Sequence, residues 1–310
     1  MSENQLQGVI TASVTPFKAD RTIDTLSMKR LVAYYQNSGL NGAFINSSSG
    51  EYFSMLQSQR EESLAAAVEQ RMKTADKPFW LLAGISADNL SEAIQNGRQA
   101  ASLGADVAVA MPPRFYAYSD DELITFFQTI AEALPIPLLV YNHMVRLNNK
   151  LSIDCVVALS RHPNIIGVKD THNDPIRLMT LLTRVRDNRS FSVFAGGDAV
   201  AGFSALMGGY QMNALSAIEP SLFLKLQDAG ARQDVTQVMN LQQRVNELMG
   251  MHALIKRNGS SMSAFTQSLK TALKNRGLCE TFTAQLGFDI MDDECKKMQQ
   301  FLVDFANQAR

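Results

Sequence analysis

The chain has 310 residues, of which 46% are hydrophobic, so it can bury one large core or two smaller ones. Its 29 Lys and Arg residues nearly balance 30 Asp and Glu residues, and no long run of one charge occurs. This balance argues against nucleic acid or a membrane surface as a partner and favours a small-molecule ligand. No apolar stretch reaches the roughly 18 residues of a membrane-spanning helix, and the three cysteines are too scattered for a disulfide framework. We therefore expect a cytoplasmic protein.

Eight short apolar runs, each of the length of a buried strand, follow one another through the first two thirds of the sequence. They are GVITASVTPF from residue 8, GAFINSS from 42, FWLLAGI from 79, ADVAVAMPP from 105, PLLVYN from 137, IIGVKD from 165, FSVFAGG from 191 and YQMNALSA from 210. Segments of helical period lie between them, and the one from residue 119 opens with Ser119 and Glu122 in the spacing of a capping box. Eight alternating units predict an α/β protein with a (β/α)8 TIM barrel. An open doubly wound sheet is disfavoured because no GxGxxG follows the first strand.

After about residue 218 the sequence contains helical patterns without strand patterns. These patterns are PSLFLKLQDAG, DVTQVMNLQQRVNELMGMHALIK, SMSAFTQSLKTALKNRG and ECKKMQQFLVDFANQ. We therefore predict a barrel catalytic domain over residues 1–225 and a C-terminal helical domain over residues 226–310. No low-complexity linker separates the two, so the extension is expected to pack on the barrel or on a neighbouring subunit.

The carboxyl ends of the strands face the active site in such a barrel. Lys169 ends the sixth strand and Tyr141 ends the fifth, so their side chains could converge. A lysine among apolar neighbours loses hydration of its ammonium, which lowers its pKa and makes a nucleophilic amine available. Alternatively, Lys169 pairs with Asp170 or Glu51, and Tyr141 is a packed aromatic residue.

The stretch INSSSGE, residues 45–51, offers hydroxyl groups and backbone amides directly after the second strand. Such a loop can hold a carboxylate by hydrogen bonds without a full positive charge. Serine and glycine are also ordinary loop residues, so the composition by itself favours a plain connection.

Six segments together carry a family resemblance. They are TASVTPF (11–17), SSSGE (47–51), PPRFYAYSDDEL (112–123), YN (141–142), HPNIIGVKD (162–170) and AGGD (195–198). In order and spacing they resemble the dihydrodipicolinate synthase and N-acetylneuraminate lyase family. The resemblance implies that Lys169 forms a Schiff base with pyruvate or a larger 2-oxo acid and that Tyr141 shuttles protons. It also implies that Ser48 and Ser49 hold the pyruvate carboxylate.

Several positions depart from the family pattern around the second substrate. Phe115 stands where the synthases carry a shuttle tyrosine, and phenylalanine cannot relay a proton, although Tyr116 is its neighbour. Met144 replaces the proline of the family motif Tyr-Asn-x-Pro, whereas Arg146 aligns with an arginine that binds a substrate carboxylate.

Strands seven and eight contribute two further candidates. Gly196 lies in AGGD, where the family has Ser-Gly-Asp-Asp, and Asn213 is polar where the family is mostly aliphatic. We predict Lys169 and Tyr141 as catalytic residues. The predicted substrate-binding residues are Ser48, Ser49, Arg146, Phe115, Tyr116, Gly196 and Asn213.

These differences from the family pattern leave the residues implied to form the Schiff base unchanged, and they change the pocket for the second substrate. The sequence therefore favours a Schiff-base lyase or aldolase that forms or breaks a carbon–carbon bond with pyruvate, acting on a 2-oxo-3-deoxy sugar acid. The alternatives are a 4-hydroxy-tetrahydrodipicolinate (dihydrodipicolinate) synthase, an N-acetylneuraminate lyase, a keto-deoxy acid dehydratase and a non-enzymatic 2-oxo acid-binding or regulatory barrel. A phosphosugar enzyme is disfavoured, because the end of strand eight lacks a glycine turn. The chemistry requires no metal or cofactor, and the resemblance implies a homo-oligomer, a tetramer or a dimer.

Overall fold

The structure is a computed structural model, and it describes residues 5–72, 78–143, 147–255 and 262–308. Eight parallel strands form a closed barrel in which each strand pairs with its neighbours in chain order and β8 pairs with β1. The strands are β1 (Val9–Ala12), β2 (Gly42–Ile45), β3 (Trp80–Gly84), β4 (Val107–Ala110), β5 (Leu138–His143), β6 (Ile165–Thr171), β7 (Ser192–Ala195) and β8 (Tyr210–Asn213). Six strands lie within their apolar runs, and β5 and β6 each extend one residue beyond theirs, so the predicted barrel is confirmed.

Helices follow the strands and cover the barrel. They are α1 (Thr25–Asn37), α2 (Gln57–Met72), α3 (Leu90–Leu103), α4 (Asp120–Ala133), α5 (Ile153–Leu159), α6 (Pro175–Val185), α7 (Ala201–Leu206) and α8 (Pro220–Ala231). Side-chain caps fix several of their starts, and the capping box of Ser119 and Glu122 opens α4 as the sequence indicates.

The described part of the C-terminal extension contains three more α-helices, namely α9 (Val235–Met249), α10 (Met262–Asn275) and α11 (Asp292–Asn307). Buried side chains of all three helices belong to the same apolar cluster as the layer between the barrel and its helices. The extension therefore packs on the barrel of its own chain. The predicted boundary at residue 225 falls within α8, and a division into two domains stays a prediction.

A second, smaller cluster fills the inside of the barrel. It includes Ile10 of β1, Phe44 of β2, Leu139 and Tyr141 of β5, and Met212 of β8. Since successive side chains of a strand point to opposite faces, this barrel-interior cluster shows which residues of each strand face inward. Within the described ranges, no helix is both long enough and apolar enough to cross a membrane.

Candidate active site

Lys169 and Tyr141 lie side by side inside the barrel. They are direct partners in the pairing of β6 with β5, and each is 3% exposed. The Lys169 Nζ atom lies 4.3 Å from the centroid of the Tyr141 ring and 5.2 Å from that of Phe44. Aromatic faces stabilise a cation and exclude water from the amine once it is neutral. The structure thus brings together the two residues predicted to be catalytic.

An irregularity in β6 decides which way Lys169 points. Leu138 pairs with Ile165, but Leu139 pairs with Gly167, so Ile166 is an extra residue that packs against the barrel-interior cluster. Without this β-bulge the following side chains would change faces, and Lys169 would point out of the barrel. Gly167 is required there, because a Cβ atom would lie 2.4 Å from the Ser192 carbonyl oxygen.

The Tyr141 hydroxyl connects the lysine to the serine loop. It accepts long hydrogen bonds of 3.5 Å from the hydroxyl groups of Ser48 and Thr171. Thr171 was not predicted from the sequence, yet it stands two residues after Lys169 on one strand and therefore shares its face. A chain of three hydroxyl groups thus runs past the lysine and could pass protons.

The serine loop, residues 46–51, presents donors toward this centre. The Ser47 hydroxyl is committed to the Ser13 carbonyl oxygen at 2.9 Å, and the Gly50 amide donates to Ser47. Among the described residues, the amides of Ser48 and Ser49 donate to no protein acceptor. These two amides and the Ser49 hydroxyl are therefore available to an anionic ligand, whereas the Ser48 hydroxyl donates to Tyr141.

Gly196, at the end of β7, gives the lysine its space. A Cβ atom at this position would lie 2.9 Å from Lys169 Cε and 2.0 Å from Thr171 Oγ1. The predicted site residue Gly196 therefore borders the lysine, and any side chain there would displace it.

Asp198 is an ionisable group that was not predicted from the sequence, although AGGD contains it. Burial raises the pKa of its carboxyl group to about 7, while the Leu215 amide and the Lys169 charge act in the opposite direction. Its Oδ1 atom is buried and has no hydrogen-bond partner within the described part of the chain. A buried, unpartnered carboxyl oxygen in a catalytic barrel is suited to bind a ligand hydroxyl.

The loop after β4 carries Phe115 and Tyr116 on the surface. Their side chains are 75% and 67% exposed and contact each other edge to face, with ring centroids 5.0 Å apart. The preceding Arg114 donates to both carboxylate oxygens of Asp88, at 3.1 and 2.7 Å, and stacks on Phe53. Roles of Phe115 and Tyr116 in substrate binding stay predictions.

Two other predicted residues are Asn213 and Arg146. Met212 belongs to the barrel-interior cluster, so the adjacent Asn213 faces the outer side of β8, beside Thr11 of β1. Its role in substrate binding stays a prediction. Arg146, like Met144, lies outside the described residues.

The site contains no metal-binding arrangement in the part of the chain that the structure describes. No three His, Cys, Asp or Glu side chains there are grouped so that they could hold a metal ion. Its reactive groups are an amine, hydroxyl groups and a carboxyl group, which are suited to nucleophilic and acid–base chemistry.

Comparison with known proteins agrees with this chemistry. A family model described as the dihydrodipicolinate synthetase family matches residues 5–303. A 4-hydroxy-tetrahydrodipicolinate synthase of Laribacter hongkongensis is 30% identical over 249 residues, covering 80% of this chain and 82% of that protein. An N-acetylneuraminate lyase of Rhizobium meliloti is 29% identical over 256 residues, covering 79% and 80%. The structure of a dihydrodipicolinate synthase from Acinetobacter baumannii complexed with pyruvate has a TM-score of 0.85 at 25% identity, covering 97% of this chain and 99% of that one.

The fold and these similarities define the protein as a lyase of the class I aldolase type. The chain belongs to the dihydrodipicolinate synthetase family, which confirms the resemblance carried by its motifs.

Proposed function

We propose that this protein forms a Schiff base between Lys169 and a 2-oxo acid and uses it to make or break a carbon–carbon bond. The observation that carries the proposal is the position of the buried Lys169 amine, 4.3 Å from the ring of Tyr141. The structure of a relative complexed with pyruvate supports pyruvate as the keto component.

The proposed reaction begins with attack of the neutral Lys169 amine on the keto carbon. The resulting carbinolamine loses its oxygen as water, and Tyr141 donates the proton that the leaving oxygen needs. Ser48 and Thr171 hydrogen-bond to the same Tyr141 hydroxyl and can return a proton to it. The protonated imine then withdraws electrons from the adjacent carbons, so the bond between C3 and C4 of the substrate can break and its electrons form an enamine. The C4 hydroxyl group gives its proton to the Tyr141 phenolate as C4 becomes the aldehyde carbon.

The substrate carboxylate is proposed to bind the serine loop. The amides of Ser48 and Ser49 and the Ser49 hydroxyl would donate hydrogen bonds to it without a counter-charge, which leaves the lysine as the nucleophile rather than as an ion-pair partner.

For the compound that is cleaved we propose a 2-oxo-3-deoxy sugar acid, which the reaction divides into pyruvate and an aldehyde. The buried Oδ1 atom of Asp198 is an acceptor for a sugar hydroxyl. Phe115 cannot relay a proton, so it does not perform the role of the shuttle tyrosine of the synthases. We further propose that the protein is a homo-oligomer, a tetramer or a dimer, in the cytoplasm.

Borohydride trapping tests the imine. Reduction in the presence of pyruvate should add a covalent mass at Lys169, and the absence of an adduct on the wild-type protein would refute the mechanism. Replacement of Tyr141 by Phe should slow trapping by about 10²- to 10⁴-fold. Unchanged trapping kinetics would remove Tyr141 from the mechanism.

A substrate panel tests the second half of the proposal. Coupled detection of pyruvate should show its release from a 2-oxo-3-deoxy sugar acid. Release from N-acetylneuraminate alone, or consumption of pyruvate with aspartate semialdehyde alone, would replace the proposed substrate by that of the corresponding relative. An imine without pyruvate release from a keto-deoxy acid would indicate dehydration.

A further inference from the structure

A buried ion pair connects the C-terminal extension to the serine loop. The Lys270 Nζ atom of α10 lies 2.6 Å from Glu51 Oε1, with the two side chains 0% and 6% exposed. The Lys270 ammonium also donates to the Thr283 carbonyl oxygen at 2.7 Å and lies 4.2 Å from the centroid of the Phe17 ring. The second carboxylate oxygen of Glu51 accepts the Gln285 amide at 2.8 Å. Each charged atom of the pair therefore has a defined partner.

Glu51 has a backbone conformation that its residue type does not favour. Its φ of +62° lies in the left-handed region, which side chains other than Gly, Asn and Asp rarely adopt. Its amide donates to the Ser48 carbonyl oxygen at 3.1 Å. The conformation of Glu51 therefore sets the position of the peptide that carries Ser48.

The other end of the loop has the same construction. Asn46 has a φ of +55°, and its side chain donates to the Arg60 carbonyl oxygen and accepts from the Ser63 hydroxyl, both in α2. The loop is thus fixed at both ends by side-chain contacts, on one side to a barrel helix and on the other side to the extension.

Stability alone is a poor explanation of the pair. Apolar side chains of similar volume commonly stabilise a buried interface as well as an ion pair does, because they require no desolvation of charge. The ion pair instead fixes the orientation of the Glu51 carboxylate, because each of its oxygens accepts from a defined donor. These contacts hold Glu51 in its left-handed backbone conformation.

We infer that Lys270 is a positioning residue for 2-oxo acid binding: through Glu51, helix α10 fixes the loop that presents Ser48 and Ser49 to the substrate carboxylate. This inference rests on the proposed function, because it assigns a purpose to the carboxylate-binding loop. It also gives the extension a role in the barrel's own chemistry, although none of its described helices contributes a reactive group to the Lys169 site.

The test compares three variants in the full-length protein. Lys270→Met removes the ammonium, and the double variant Glu51→Gln with Lys270→Met also removes the buried charge that would otherwise be unpaired. Lys274→Met is the matched control, because Lys274 lies one turn further along α10, is exposed and donates to the Glu280 carbonyl oxygen away from the loop.

The readout is the rate of borohydride trapping at Lys169 against pyruvate concentration. For Lys270→Met and for the double variant, the half-saturating pyruvate concentration should rise about tenfold or more, the size of a lost charge-assisted hydrogen bond, while the rate at saturation falls less. With acetone, which has no carboxylate, the variants should match the wild type. The Lys274→Met variant should match the wild type with both ketones.

Each outcome decides the inference. An unchanged half-saturating concentration in a folded Lys270→Met or double variant overturns it, as does an equal loss with pyruvate and acetone. Circular dichroism that shows neither variant folded would assign the pair to stability alone and overturn it as well. No adduct on the wild-type protein would overturn the proposed function, and this inference with it, whereas a wild-type adduct leaves the proposed function standing whatever the variants show.

Discussion

Arg177 is predicted to be essential for stability because it neutralises a carboxylate directly behind the reactive lysine. Its Nε and Nη2 atoms donate to Asp170 Oδ2 at 3.1 and 2.9 Å, and the Asn142 side-chain amide donates to the same oxygen at 3.0 Å. The side chains of Arg177 and Asp170 are only 12% and 4% exposed. Arg177 also donates to the Leu151 carbonyl oxygen, so one guanidinium connects three segments.

The substitution Arg177→Met keeps the apolar stem and removes the charge. Asp170 then keeps Asn142 as its donor among the described residues, and its carboxylate is left buried without a counter-ion. Breaking a buried pair in this way costs about 3 to 5 kcal/mol of unfolding free energy. The matched control is Arg184→Met, two turns along the same helix, whose pair with Asp154 is 48% and 81% exposed and contributes about 0 to 1 kcal/mol.

Urea unfolding measures both variants. The fluorescence of Trp80, the only tryptophan of the chain, reports on β3, and far-ultraviolet circular dichroism reports on the helices. Protein concentration is held fixed, because any oligomer would make stability depend on it. An Arg177→Met protein within about 1 kcal/mol of the wild type, or an equal loss in Arg184→Met, would refute the reasoning.

Two further predictions concern the inside of the barrel. Gly196→Ala should fold but should be trapped with pyruvate about 10²-fold more slowly, because its Cβ would displace Lys169 and Thr171. Gly250→Ala is the control, because its Cβ meets nothing closer than 3.6 Å, and it should be trapped at the wild-type rate. Equal trapping rates in the two variants would contradict the steric reason. Asp198 has a pKa of about 7 in the folded protein, against an ordinary value of 3.8. Between pH 4 and pH 7 the folded protein therefore keeps a proton on Asp198 that the unfolded chain has lost. The contribution of Asp198 to stability is present below about pH 4 and is lost as the pH rises to about 7. Unfolding of Asp198→Asn from pH 4 to 8 should show a smaller decline in stability across this window than the wild type, and a parallel decline would show that Asp198 is not the titrating group.

The fold could be predicted because its signals are local. Each strand is a short apolar run, and parallel strands buried on both faces are apolar throughout rather than alternating. Because both faces of such a strand are apolar, the sequence does not show which side chains point into the barrel and which point toward the helices. In IIGVKD the sequence indicates that Lys169 ends a strand, but the bulge at Ile166 decides that it points inward, and an apolar run carries no sign of that register shift.

The site could be predicted only where its residues end neighbouring strands. Tyr141 and Lys169 meet for that reason, and Thr171 could have been found by counting two residues along β6. Asp198 was missed because its raised pKa comes from burial, which is set by packing rather than by nearby sequence. Lys270 could not be connected with Glu51, because the helical extension showed no motif and their contact joins distant parts of the chain.

In the dipeptides Tyr141–Asn142 and Lys169–Asp170, the reactive residue and the residue that stabilises the strand lie on opposite faces of the barrel wall. Strand alternation sends the first residue of each pair inward to the reactive centre and the second outward toward the helices. The outward Asn142 donates to the outward Asp170, which also accepts from Arg177, so these contacts fix β5 and β6 where the inward residues must meet. A charge that would disturb the amine from inside the barrel is thus kept on the opposite face of the same strand. The two reactive side chains therefore stand on strands that cannot shift in register without breaking the buried hydrogen bond between Asn142 and Asp170.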